Sequence, residues 1–122
     1  MRVHFLASAL FLSSALYISA NEPLTIAVSP AQAFAPATLT IRVHVEPDAG
    51  NRALEVVADS GEYYRSSRIQ LDGADAPRTI SVEFPDLPGG DYEVRGTLIN
   101  SAGRQRSAVS RQVIIRGFTG SE

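Results

Sequence analysis

From residue 24 onward the chain alternates between apolar and polar side chains. Leu24, Ile26 and Val28 fall on one side, and Thr25, Ala27 and Ser29 on the other, until Ser29-Pro30 interrupts the run. Leu39, Ile41, Val43 and Val45 form the clearest such set, opposed by Thr38, Thr40, Arg42, His44 and Glu46. Leu54, Val56 and Ala58 follow, then Ile69 and Leu71, then Ile80, Val82 and Phe84. Tyr92, Val94, Gly96 and Leu98 share a side against Glu93, Arg95, Thr97 and Ile99, and Val109, Val113 and Ile115 point inward in the last run. A period of two is that of a strand with one buried face. The chain therefore predicts seven strands.

Turn chemistry separates them: Pro47-Asp48-Ala49-Gly50-Asn51, Asp59-Ser60-Gly61, Asp72-Gly73-Ala74-Asp75-Ala76-Pro77, Pro85-Asp86-Leu87-Pro88-Gly89-Gly90 and Asn100-Ser101-Ala102-Gly103. Residues 31–36 read as an Ala/Pro-rich connector, with Phe34 placed to plug one end of the core. Within residues 62–71, Tyr63-Tyr64-Arg65-Ser66-Ser67 leaves room for a bulge or a switch between sheets. No helical period survives three turns in residues 21–117, so no helix is expected there and parallel α/β topologies are excluded. Seven one-sided strands hide their apolar faces by stacking as two antiparallel sheets. The expectation is an all-β sandwich.

The N-terminus follows a different rule. Met1-Arg2-Val3-His4 is a short basic start, residues 5–18 are uncharged and rich in Leu and Ala, and Ser19-Ala20 precedes Asn21-Glu22-Pro23. That is the layout of a secretory signal peptide, cleaved after Ala20 or, alternatively, Ala15. As a helix the apolar run spans about 21 Å, short of a hydrocarbon core of about 30 Å. The expected organisation is a signal at 1–20, one sandwich domain at 21–117 and a flexible tail at 118–122. The mature protein is expected in the periplasm or the medium, without stable membrane insertion after signal cleavage.

Composition narrows the chemistry. There is no cysteine, so disulfides, thiolate nucleophiles and cysteine-held metal centres are excluded. Only two histidines occur, and His4 lies in the signal. Every basic residue is arginine, and removing Arg2 leaves 10 against 13 acids. No basic stripe argues for nucleic acid. His44, alone on the polar side of a strand, lacks a nucleophile and a second base, and no phosphate-loop or dinucleotide fingerprint is present. No catalytic residue, metal ligand or cofactor is expected. Asp72 and Asp75, with Asp86 and Asp91 in another turn, are the only candidate calcium ligands, and aspartate is also a common turn residue. In Tyr63-Tyr64-Arg65 the two rings face opposite sides of a strand, so one is core and the other is free to stack on a sugar or anchor a protein. By register Val57, Thr97 and Ile99 face away from the core, a semi-apolar strip flanked by Glu55, Glu93 and Arg95.

The segment Leu87-Pro88-Gly89-Gly90-Asp91-Tyr92-Glu93-Val94, followed by Asn100-Ser101-Ala102-Gly103-Arg104, resembles the corner and penultimate strand of bacterial immunoglobulin-like and fibronectin type III-like extracellular domains. The resemblance implies a seven-stranded Greek-key sandwich in which Tyr92 is the corner tyrosine, its hydroxyl bonded to an upstream backbone group, with Leu87 packed beneath. Val43 and Val94 would then fill the places that antibody-type domains give to a cystine. Together these readings lead to the expectation of a non-catalytic module contacting an envelope protein through Val57, Thr97 and Ile99, or through Tyr63, Tyr64 and Arg65. The alternative is a carbohydrate-binding module that uses Tyr63 or Tyr64 to stack on a glycan.

Overall fold

A computed structural model describes residues 22–117. The expected signal at 1–20 and tail at 118–122 lie outside the described residues. The described chain is all-β: β1 (Leu24–Ser29), β2 (Gln32–Phe34), β3 (Ala37–Val45), β4 (Asn51–Asp59), β5 (Tyr64–Gln70), β6 (Thr79–Leu87), β7 (Gly90–Asn100) and β8 (Gln105–Arg116). A single turn of 3-10 helix at Gly73–Asp75 joins β5 to β6.

These strands form two sheets, one ordered β1-β3-β6 and the other β2-β8-β7-β4-β5. The alternation read from the sequence is what fills the space between them. Leu39, Ile41, Val43 and Val45 of β3 meet Leu54, Val56 and Ala58 of β4 and Tyr92, Val94 and Leu98 of β7 in one continuous core. Val82, Phe84 and Leu87 of β6 and Val113 and Ile115 of β8 complete it. Burying such side chains contributes about 1.5–3 kcal/mol each, which is why a strand with one apolar face needs a second layer.

The count of strands is corrected from seven to eight. Residues 31–36 are not merely a connector: Gln32–Phe34 pairs with β8 in parallel, in register Gln32 to Ile114 and Phe34 to Arg116. This is the one parallel pair among the described strands, so the sheets are not wholly antiparallel. Phe34 does not plug the core; it is 73% exposed, because the register turns Ala33 inward and sends Phe34 to the outer face. Within residues 62–71, Tyr64–Gln70 makes a plain edge strand on β4, antiparallel from Ala53↔Gln70 to Asp59↔Tyr64, with no switch of sheet. Among the described residues no helix is long and apolar enough to cross a membrane.

Candidate functional site

A two-layer sandwich has two seams where the edges of its sheets come together, and here each seam carries an arginine at an inward register position. In β5, Arg65 pairs with the core residue Ala58 and so starts inward. Its guanidinium crosses to the other sheet: Nη2 donates to the Pro85 carbonyl at 2.9 Å and to the Tyr63 hydroxyl at 3.1 Å. It also sits 5.9 Å from the ring centroids of both Tyr63 and Phe84. The guanidinium is engaged by a carbonyl, a hydroxyl and two rings, and the contact ties the β5 edge to β6.

At the opposite seam, Arg111 of β8 is in register with the core residue Val94, between the inward positions Val109 and Val113. It emerges into a groove of about 410 Å³ between β1 and β8, lined by Ile26, Ala27, Val28, Ala31, Arg111, Gln112 and Val113. Its Nη1 donates to the carbonyl of its own neighbour Ser110 at 2.9 Å. Among the described residues it has no carboxylate partner. Beneath the groove β1 lies close on β7: a Cβ on Gly96 would stand 3.2 Å from Ile26 Cγ2, so a methyl there would need Ile26 to give way by a few tenths of an ångström. Beside it, β8 from Gln105 to Val113 has β7 on one side and, on the other, no partner strand until β2 begins at Ile114. Sequence reasoning placed Val109, Val113 and Ile115 inward and passed over Arg111. The available signal was an arginine falling in phase with three inward-facing aliphatics.

The residues singled out from the sequence do not converge. Tyr63 is half-buried against the core and Tyr64 is 60% exposed on the outer face. Val57 is not part of an exposed strip: it is 6% exposed, although it points away from the core. It lies in a central strand, between Ser66 and Arg95 in register, and Glu55–Arg68 and Glu93–Arg95, each paired at 3.0 Å, flank it on the same outer face. Thr97 and Ile99 are half-buried on that face. His44 is exposed between Thr25 and Thr79. No group of three or more His, Asp or Glu able to hold a metal occurs among the described residues, so Asp72, Asp75, Asp86 and Asp91 do not gather.

Two polar residues do hold the ends of the sandwich. Tyr92 is buried, its hydroxyl donates to the Pro88 carbonyl at 2.7 Å, and Leu87 is fully buried in the same core. Burial pushes the Tyr92 phenol above its usual value, against a weaker opposing pull from the Ser60 hydroxyl. Asn51, read as a turn residue, begins β4 and is completely buried. Its Nδ2 donates to the Glu46 carbonyl at 3.1 Å and its Oδ1 accepts from Arg106 Nη1 at 2.9 Å, while Arg106 also reaches Asp48 at 3.2 Å.

No protein-family model and no curated protein matches this chain. Solved structures are. A superoxide reductase (neelaredoxin) from Ignicoccus hospitalis superposes with a TM-score of 0.61 at 12% identity, over 78% of this chain and 81% of that one. A single-residue variant of the same enzyme gives 0.62 at 12% identity, over 85% and 88%. A family 76 glycoside hydrolase from a bovine Bacteroides thetaiotaomicron strain gives 0.55 at 17% identity, over 84% of this chain but only 22% of that protein. At these identities the likeness is one of fold. It nevertheless corrects the expectation of a non-catalytic envelope or glycan-binding module, and with it the expectation that the chain is not an enzyme. Both rested on the lack of a nucleophile, base and metal-ligand set in the sequence, and solved enzymes use this frame over most of their length.

One-electron chemistry of the kind the neighbours are named for requires a redox-active metal or cofactor. The donor set here does not fit one. Thiolate and imidazole are the side chains that hold redox metals; the chain has no cysteine, and among the described residues its one histidine stands alone on an outer face.

Proposed function

We propose that this protein is an immunoglobulin-like sandwich that binds a small amphipathic anion, a carboxylate with a short apolar tail, in the groove between β1 and β8. The observation that carries the reading is the contrast between the two seam arginines. Arg65 spends its donors on a carbonyl, a hydroxyl and two rings, whereas Arg111, equally inward in register, bonds only to its neighbour's carbonyl at the mouth of an apolar groove. Ligand sites are mostly apolar concavities of about 300–1,000 Å³ with a few polar groups that orient the ligand. Here Ile26, Val28 and Val113 supply the apolar wall, Arg111 the counter-charge and Gln112 a second polar contact. An arginine suits a carboxylate because its fork of N–H donors matches two oxygens at once.

The immunoglobulin-like part of the reading is supported by strand order. The first, third and sixth strands share one sheet, and the fourth, seventh and eighth share the other, as strands A, B, E and C, F, G do in that architecture. The Tyr92 hydroxyl on the Pro88 carbonyl, four residues upstream, is the bond expected of a corner tyrosine. The basic start, apolar run and small residue at 1–20 support export to the periplasm or beyond. Reduction of superoxide, the activity in the neighbours' name, is not carried over, because the donor set does not fit a redox metal.

The test is a titration with octanoate, with octanol as the uncharged control, followed by backbone amide NMR. Octanoate should shift the amides of residues 26–28, 31 and 111–113. Arg111→Gln should weaken binding about tenfold or more, and Arg111→Lys should recover part of it. Equal binding of octanol, or octanoate shifts that survive Arg111→Gln unchanged, overturns the reading.

A further inference from the structure

On the outer face of the larger sheet, at the corner where β2 meets β8, two large apolar side chains stand in water. Phe34 is 73% exposed and Ile114 is 40% exposed, and they are two of the three large hydrophobics so exposed among the described residues. Register places them together. Gln32, Ile114 and Asp91 lie in one row across β2, β8 and β7, and Phe34 and Arg116 in the next. The side chains of both rows alternate with the inward Ala33, Ile115 and Tyr92, so they share the outer face. The patch is thus an apolar pair with a cation, Arg116, at one margin and an anion, Asp91, at another, and neither is in an ion pair among the described residues.

We infer that a second copy of this chain covers this corner, face to face, about a twofold axis passing between Phe34 and Ile114. A twofold interface is self-complementary, since the same patch serves both partners. With the axis there, Phe34 of each copy rests on Ile114 of the partner subunit, and Arg116 of each comes within reach of Asp91 of the partner subunit. The charges on the margin therefore meet with opposite sign, which is the arrangement that fixes the register of an interface. The contact is through the face and not through the strand edge. Pro30 and Pro36 bracket β2, and proline has no N–H to give to an added strand. The contact is small, so the association is weak and depends on concentration.

Light scattering over a dilution series tests this. The mass should rise from that of a monomer toward twice that value as the protein approaches millimolar concentration. Phe34→Ser or Ile114→Ser should weaken association about tenfold, and Phe34→Ser should leave the melting temperature nearly unchanged because that side chain is 73% exposed. Asp91→Arg or Arg116→Asp should each weaken it, and the two together should restore it. A monomer at every concentration, association indifferent to these changes, or failure of the double exchange to restore it overturns the inference. So does association that appears only when Phe118 is changed to Ser, since the chain's own C-terminal residues would then be what covers the patch.

Discussion

Tyr92→Phe isolates one hydroxyl in an otherwise intact core. The ring fills the same space in either variant, so no cavity opens, and the change removes chiefly the 2.7 Å bond from Tyr92 to the Pro88 carbonyl, with the weaker pull of the Ser60 hydroxyl. A single intramolecular hydrogen bond contributes about 0.5–1.5 kcal/mol net. Pro88 is exposed, so water can take over the freed carbonyl, and the loss should be about 1 kcal/mol. In a domain of about 100 residues that lowers Tm by roughly 4–8 °C, within easy reach of thermal denaturation followed by circular dichroism. The same variant carries a signature in pH. Burial raises the folded-state pKa of Tyr92 above its usual value of 10.0, so the folded protein holds this proton more tightly than the unfolded chain does. The contribution is complete below pH of about 10 and is lost as pH rises through the folded value. The gap between the parent and Tyr92→Phe should therefore be widest near neutrality and shrink above pH of about 10. Equal Tm at pH 7, or a gap just as wide at pH 11, would refute the assignment of the corner bond as the stabilising contact.

Three further outcomes follow from contacts described above. Gly96→Ala should cost about 1–3 kcal/mol in urea denaturation, because its Cβ meets Ile26 Cγ2 at 3.2 Å and that side chain must give way in a packed core; octanoate affinity should change with it. Asn51→Ala should cost about 1–3 kcal/mol, since the half-buried Glu46 carbonyl and one Arg106 donor lose their partner together. Protein incubated with ferrous, manganous or cupric ions and then gel-filtered should consume superoxide no faster than buffer; a stoichiometric metal that accelerates the decay would show that the donor set was misjudged.

Most of the core was legible because alternation leaves a strand little freedom. Once Leu39, Ile41, Val43 and Val45 share a side, the other side can only be solvent, and the pleat carries the same logic through Leu54, Val56 and Ala58 and through Tyr92, Val94 and Leu98. What escaped depends on neighbours that one strand's pattern does not contain. Gln32–Phe34 is three residues between prolines and has no period to read; it is a strand only because β8 offers an edge. Val57 is outward by register yet buried, because a central strand is covered on its outer face by the long charged side chains of the strands beside it. Asn51 looked like a turn former because nothing local announces that Arg106, far along the chain, will meet it. The same holds for the groove: Arg111 stands in phase with the inward aliphatics of β8, but its isolation is visible only beside the engaged Arg65.

The short β2 strand has a mechanical consequence. β1 belongs to one sheet and β2 to the other, and the parallel pairing of β2 with β8, held by Ile114 N–H to the Ala31 carbonyl and Ala35 N–H to the Arg116 carbonyl, sets both early strands running the same way as the last one. The polypeptide therefore enters at one pole of the sandwich and leaves at the other. Tension applied between its two ends loads these contacts lengthwise, so that they must yield together instead of unzipping one at a time.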